Sequence, residues 1–172
     1  MGNAILPEEA TVYIGAADAA SSSCQDVTAE ITNFSESGGE EDIESTPVFG
    51  GGNIDKTKPR TQVEISFDVI LRYNAASSVS LKWDEYKYGA AVADLVTSAG
   101  DAASKVIYVQ WTDGTLFYTR AYNNAKGVNF EPELAADDFL KGTMTFKLSP
   151  TDADGNANEK ITNAAASTLS WS

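Results

Sequence analysis

The sequence predicts a mainly β fold, a barrel or sandwich with one α-helix against it. Three observations carry that expectation. Apolar and polar residues alternate with period two across 61–73 and again across 142–148. Asp113 and Gly114 stand between two β-rich runs, 105–111 and 115–123, and this marks a tight hairpin because glycine accepts positive φ without steric cost. Helical spacing is confined to residues 79–100. A chain of 172 residues suits one domain, 1–172, with a core large enough to fold alone.

The elements follow in chain order. Residues 1–10 read as an extended N-terminal arm, because Pro7 has no N–H to donate and Glu8 and Glu9 prefer water. Residues 11–14 form a short strand, closed by Gly15 and a run of small residues to Ser23. Across 26–34 Val27, Ala29 and Ile31 alternate with Thr28, Glu30 and Thr32, which predicts a half-buried strand. In the long strand 61–73, Val63, Ile65, Phe67, Val69 and Leu71 oppose Glu64, Ser66, Asp68 and Arg72. Ile70 breaks the polar face, so cover on both sides is expected near it.

Ser80 is the predicted N-cap of the helix, Asp84 and Glu85 sit near its first turn, and Trp83 and Tyr86 are spaced i, i+3. Gly89 interrupts it, with a further helical turn or two expected in 90–99. After the hairpin come a short strand at 127–130, a polar connection at 132–140 and the alternating strand 142–148, ended by Pro150. A polar turn at 151–158 leads to a last strand near 168–171. No internal repeat is present.

Composition removes whole classes of function. Twelve basic and 25 acidic residues leave a net charge of −13, which repels nucleic-acid phosphates where binding needs clustered Lys and Arg. With no histidine, there is no Ser-His-Asp or Cys-His nucleophile system and no imidazole ligand for zinc. Cys24, the only cysteine, has no basic neighbour in sequence to activate it, so a small, partly buried role is expected. The expectation is therefore a protein without catalytic residues, metal or cofactor, not an enzyme. No apolar run reaches the length of a membrane span, the start lacks the basic and apolar regions of a secretion signal, and no membrane binding is expected.

One segment does not suit a compact monomer. Residues 34–60 join two strands with little regular signal, and loops of that length are usually functional or disordered. Its composition is ordered along the chain. Glu36, Glu40, Glu41, Asp42 and Glu44 come first; Pro47, Val48, Phe49, Gly50, Gly51, Gly52 and Ile54 form an apolar, glycine-rich middle; Lys56, Lys58 and Arg60 come last. A solvated hairpin tip would expose Ile43, Val48, Phe49 and Ile54 without benefit, whereas burying two of them in a partner contributes on the order of 2–5 kcal/mol. Acidic and basic ends also suit a head-to-tail contact between copies.

The run from Val27 to Gly39, followed by Asp42-Ile43-Glu44-Ser45 and Val48-Phe49-Gly50-Gly51-Gly52, resembles the major tail tube proteins of long-tailed bacteriophages, of the non-contractile, siphovirus type. The order strand, long acidic loop, long strand, helix, hairpin and returning strands follows the same family along most of the chain. That resemblance implies a phage tail-tube-like fold whose copies form hexameric rings, stacked into a hollow tube through which DNA leaves the virion. It implies residues 34–60 and the N-terminal arm as the joints between subunits, and tape-measure, tail-terminator and distal-tail proteins as further partners. Assembly in the bacterial cytoplasm and residence in the virion tail follow. A negatively lined bore would let DNA pass without adhering, and Glu30, Glu64 and Asp68, on the polar faces of predicted strands, are the lumen-facing candidates.

Weaker patterns remain. Asp152, Asp154, Asn156 and Asn158 place oxygen side chains at alternate positions like the start of a calcium loop, but the twelfth position is Asn163 where a Glu is needed. A surface turn is the simpler reading, and a calcium-dependent β-rich binding or adhesion module is the alternative function. Gly50-Gly51-Gly52 lacks phosphate-loop spacing, and the adjacent Asp137 and Asp138 point apart if on a strand.

Overall fold

The computed structural model describes residues 10–72, 81–89, 102–133, 138–163 and 169–171. The predicted arm at 1–9, Ser80, the second helical stretch at 90–99 and Asp137 lie outside them. The described elements are β1 (Ala10–Ala16), β2 (Gln25–Asp26), β3 (Ile31–Gly38), β4 (Ile43–Val48), β5 (Gly52–Thr57), β6 (Val63–Ile70), α1 (Lys82–Tyr88), β7 (Lys105–Thr112), β8 (Phe117–Glu133), β9 (Lys141–Leu148) and β10 (Glu159–Thr162). The mainly β fold with one helix is the class the alternation predicts.

Seven strands run in the antiparallel order β2-β1-β7-β8-β9-β6-β3, with β10 also paired to β8. β8 belongs to two sheets. Residues from Phe117 to Ala125 pair with β7, and those from Lys126 to Glu133 pair with β9. The main core lies between the two halves. Val63, Ile65, Phe67 and Val69 of β6 and Met144, Phe146 and Leu148 of β9 meet Val12, Ile14, Ile107, Val109 and Tyr122 from the other sheet. Strict alternation in β6 and β9 follows, since one face of each is covered and the other is half-exposed.

β7 shows no alternation because both its faces are covered. Ile107 and Val109 join the main core, while Val106 and Tyr108 form a second cluster with Ala121 and Leu169. The Tyr108 hydroxyl donates to the Ala19 carbonyl at 2.8 Å. In α1, Trp83 and Tyr86 turn into the main core, and the helix ends at Gly89, whose φ of +94° a side chain would resist. The Asp113-Gly114 turn forms as predicted: Gly114 has φ +88°, and the Asp113 carboxylate accepts the N–H groups of Thr115 and Leu116.

Four expectations require correction. The strand predicted at 26–34 is broken by a 3-10 turn at Thr28–Glu30, so β3 begins only at Ile31. Side chains divert the backbone there: Asp26 accepts the N–H of Thr28, and the Thr28 hydroxyl accepts the N–H of Val12. The strand at 127–130 is not separate, because β8 continues through a bulge between Gly127 and Asn129 and extends to Glu133. The last described strand is β10, and Leu169 is instead held to Ser21 through backbone and hydroxyl bonds. Finally, 34–60 is not an irregular connector. β3 runs on to Gly38, and β4 and β5 form a two-stranded ribbon in register from Ile43 opposite Thr57 to Val48 opposite Gly52.

Gly127 lies under the helix. A Cβ there would sit 2.2 Å from the Tyr86 carbonyl oxygen and 2.6 Å from the Met144 methyl. Gly127→Ala is expected to destabilise the protein by about 1–3 kcal/mol, read from urea denaturation; an unchanged midpoint would show that the helix is not seated on this bulge. Burial, with Cys24 and Asp18 nearby, raises the Tyr108 pKa from 10.0 to about 12. The neutral hydroxyl's contribution is complete below pH 10 and is lost as pH rises through about 12, because the unfolded chain ionises first. Tyr108→Phe should flatten that alkaline loss of stability, followed by circular dichroism and tyrosinate absorbance.

Candidate functional site

The β4–β5 ribbon stands outside the seven-strand layer, and every residue from Glu40 to Gln62 is exposed. It begins where β3 and β6 part. Gly38 and Gly39 adopt φ +79° and +70°, and a Cβ on Gly38 would meet the Gln62 carbonyl at 2.1 Å. Backbone bonds then close the base, from Gly39 N–H to Gln62, Thr61 N–H to Glu40 and Lys58 N–H to Asp42. At the far end Gly50 and Gly51, at φ +118° and +85°, reverse the chain after Phe49.

The charged residues singled out in the sequence are mostly used inside the chain. Lys58 pairs with Asp42 at 2.9 Å and reaches Glu44 at 3.8 Å, while Lys56 lies opposite Glu44 in register. Arg60 bridges to Glu159 at 2.9 Å and donates to the Gly39 carbonyl at 2.7 Å. Exposed pairs of this kind contribute little stability, but they close the ribbon's base. Acidic and basic ends therefore meet across one ribbon, where the sequence suggested contact between copies. Glu41 is exposed beside them.

Glu36 is not part of the ribbon. It lies on β3, and its carboxylate accepts from the Arg120 guanidinium and the Tyr122 hydroxyl, both on β8. Arg120 in turn donates to Tyr118 at 2.9 Å. Burial and the Glu36 carboxylate push the Tyr122 hydroxyl pKa upward, and the hydrogen bond to Tyr118 leads the causes that raise that of Arg120. Sequence reasoning missed Arg120 and Tyr122, which stand 84 and 86 positions from Glu36, beyond any spacing rule.

The apolar residues behave differently. Phe49 is fully exposed, and Ile43, Val48 and Ile54 are 60%, 42% and 63% exposed. Pro47, opposite Asn53, costs the ribbon one N–H donor but borders no further strand. The ribbon is thus closed by charge at its base and apolar and uncharged toward its tip.

The lumen candidates separate into two places. Glu64 and Asp68 lie on the half-exposed face of β6, beside Ser66 and across from Thr143, Thr145 and Lys147 of β9. Lys147 pairs with Glu64 at 3.0 Å, and the Asp68 carboxylate accepts from Asn33 at 3.1 Å and Thr143 at 2.9 Å. Glu30 sits in the 3-10 turn instead, where its carboxylate takes Lys82 at 2.6 Å and the Trp83 indole N–H at 2.9 Å. It anchors the helix to the β2–β3 turn.

The 151–158 turn folds on itself. The Asp152 carboxylate accepts the N–H groups of Asp154 and Asn156 and the Asn156 amide, which lower its pKa. Among the described residues no three His, Cys, Asp or Glu side chains gather as a metal site. Cys24 is half-buried, donates to the Ala20 carbonyl at 3.3 Å, and burial raises its pKa.

No protein-family model and no curated protein matches the chain. Solved structures do. A chain from the PVC sheath–tube complex of an extracellular contractile injection system, in its extended state, shares 14% identity at a TM-score of 0.57, over 94% of this chain and 93% of that one. A chain from the PVC sheath/tube terminator has 13% identity and a TM-score of 0.59, over 94% and 98%. One from the anti-feeding prophage baseplate has 9% identity and a TM-score of 0.59, over 96% and 100%. The fold is tail-tube-like. The resemblance noted in the sequence is thereby supported as to fold, and the two PVC neighbours belong to a contractile injection system.

Glu36 ties the strand that leads into the ribbon to the strand that joins the two sheets. Glu36→Gln removes the charge facing Arg120 and should cost about 1–3 kcal/mol in urea denaturation, partly recovered in Glu36→Gln/Arg120→Gln. No loss in the single variant would exclude the tie as a structural anchor.

Proposed function

We propose that this chain is a structural, non-enzymatic subunit of a tail-like tube, joined to further copies of itself through the β4–β5 ribbon. The observation that carries the proposal is the ribbon: six-residue strands bonded together at the base, with an apolar tip that no described residue of its own chain covers. A disordered loop would need no such base, and a monomer gains nothing from exposing Phe49. The neighbours' membership of sheath–tube, terminator and baseplate assemblies supports the same reading.

In its fuller form the proposal has copies closing into hexameric rings that stack into a hollow conduit. Tape-measure, tail-terminator and distal-tail proteins are its partners, and assembly takes place in the bacterial cytoplasm before residence in the virion tail. The half-exposed face carrying Glu64 and Asp68 lines the bore, so that ejected DNA meets carboxylates and hydroxyls and slides past. Screening confines that repulsion to about 8 Å at physiological salt, so only residues on this face act on the DNA. The tube is proposed as the non-contractile, siphovirus type, on the sequence resemblance; a sheath bound around tubes isolated from the native particle would assign it to the contractile type.

Purified protein is expected to form rings or tubes in negative-stain electron microscopy. Asp42 and Lys58 are already joined by a backbone bond of 2.8 Å, so residues 43–57 can be replaced by Asn-Gly without opening the base. That variant should remain a folded β monomer by circular dichroism and sedimentation but form no polymer. Normal tubes from it would show that the ribbon is not the joint.

A further inference from the structure

The molecule has a groove that the ribbon does not explain and that fits its tip. It lies where β3, at one edge of the strand order, comes alongside β1 and β7. Val12 and Val109 line it, Ile31, Phe34 and Trp111 flank it, and Thr32 and Asn33 stand at its lip, around a volume of about 410 Å³. Ile31, Phe34 and Trp111 pack against the main core while remaining only partly buried. The core therefore comes to the surface here. Phe34 also meets Trp111 edge-on, with ring centroids 5.7 Å apart, so the groove is bounded by aromatic faces.

We propose that this groove receives the tip of the β4–β5 ribbon from a second copy of the chain, with Phe49 as the inserted side chain. This rests on the tube reading above and names its contact. Two features on the same chain support it. In a protein with 22% charged residues, residues 45–54 carry no charge, and neither does any residue lining the groove. An uncharged knob and an uncharged hole avoid the desolvation cost that the acidic surface elsewhere would impose. The tip also leaves its own groove unfilled: Phe49 is fully exposed, and among the described residues nothing lies within 4 Å of a Cβ placed on Gly50, Gly51 or Gly52.

Position along β3 sets the consequence. The groove lies at its start, Ile31–Phe34, while the ribbon springs from beyond its end at Gly38, roughly 20 Å of strand away. Knob and hole on different parts of one chain allow a heterologous contact, which runs from copy to copy and closes into a ring or continues as a filament. An aromatic side chain entering such a groove covers on the order of 150–250 Å². Phe49 is thus the anchor, and Ile43, Val48 and Ile54 extend the contact along the ribbon.

The test places the photo-reactive phenylalanine analogue benzoylphenylalanine at position 49, mixes that protein with isotope-labelled wild-type chain, and irradiates the assembled polymer. Adducts are expected between chains, on residues 10–12, 28–34 or 109–111. In parallel, Phe49→Ser should raise the concentration needed for polymerisation at least tenfold while circular dichroism stays unchanged. Adducts elsewhere on the neighbour, or on residues 1–9, overturn the groove assignment and leave the tube reading standing. So does Phe49→Ser polymerising as wild type. Wild-type protein that forms no polymer under any condition overturns both.

Discussion

β8 is the constraint on which the rest of the structure depends. Its 17 residues belong first to one sheet and then to the other, so its bend sets how the two sheets face each other. The bend is built locally. Asn124 takes φ +54°, which an asparagine tolerates better than most residues, in the bulge opposite 105–107 where the strand leaves β7, and a second bulge at 127–129 follows in its pairing with β9. Tyr122 and Ala125 are buried before the bend and Phe130 beyond it, so the core runs through it without a gap. The helix rests on the same place, with Tyr86 against Gly127. A change in β8 is therefore felt in both sheets and in the helix together.

The base of the ribbon is set by this frame. Arg120 and Tyr122 extend from β8 to Glu36, which fixes β3 a turn's length before Gly38 releases the chain outward. Beyond that point the backbone is paired but uncovered, and stability falls from base to tip. An element held at one end and apolar at the other is suited to reach a partner. Its exposed apolar groups are a liability in a monomer and an asset in a polymer. The same division separates the charges: those at the base are used in closing the ribbon, while Glu64 and Asp68 occupy a polar face where Thr143, Asn33 and Lys147 hold them in place.

Much of the fold was legible where a single face decides burial. The alternation of β6 and β9, the hairpin at Asp113-Gly114 and the Trp83–Tyr86 face of the helix all follow from local periodicity and turn chemistry. The misses share a cause of another kind. Residues 26–34 alternate properly, yet the Asp26 and Thr28 side chains outcompete the strand with bonds to the backbone, one of them to Val12, 16 positions away. β10 has a single apolar residue, Ile161, and forms because β8 offers it a ladder from Tyr122 to Thr119. The β4–β5 ribbon was hidden by Pro47 and three glycines, which weaken a strand pattern even when two strands pair in isolation.

The sequence by itself determined the class of fold, the core faces of the regular strands, the absence of imidazole chemistry and the exceptional character of 34–60, because each depends on residue type or on spacing within one element. Only the tertiary structure decided that this segment is a paired ribbon, that Glu36 and Arg60 are tied within the chain, that Glu30 holds a helix while Glu64 and Asp68 share an exposed face, and that an aromatic groove opens between β3 and its neighbours. Those outcomes depend on partners dozens of residues apart, brought together by the bend of β8, and no local pattern encodes a distance of that kind.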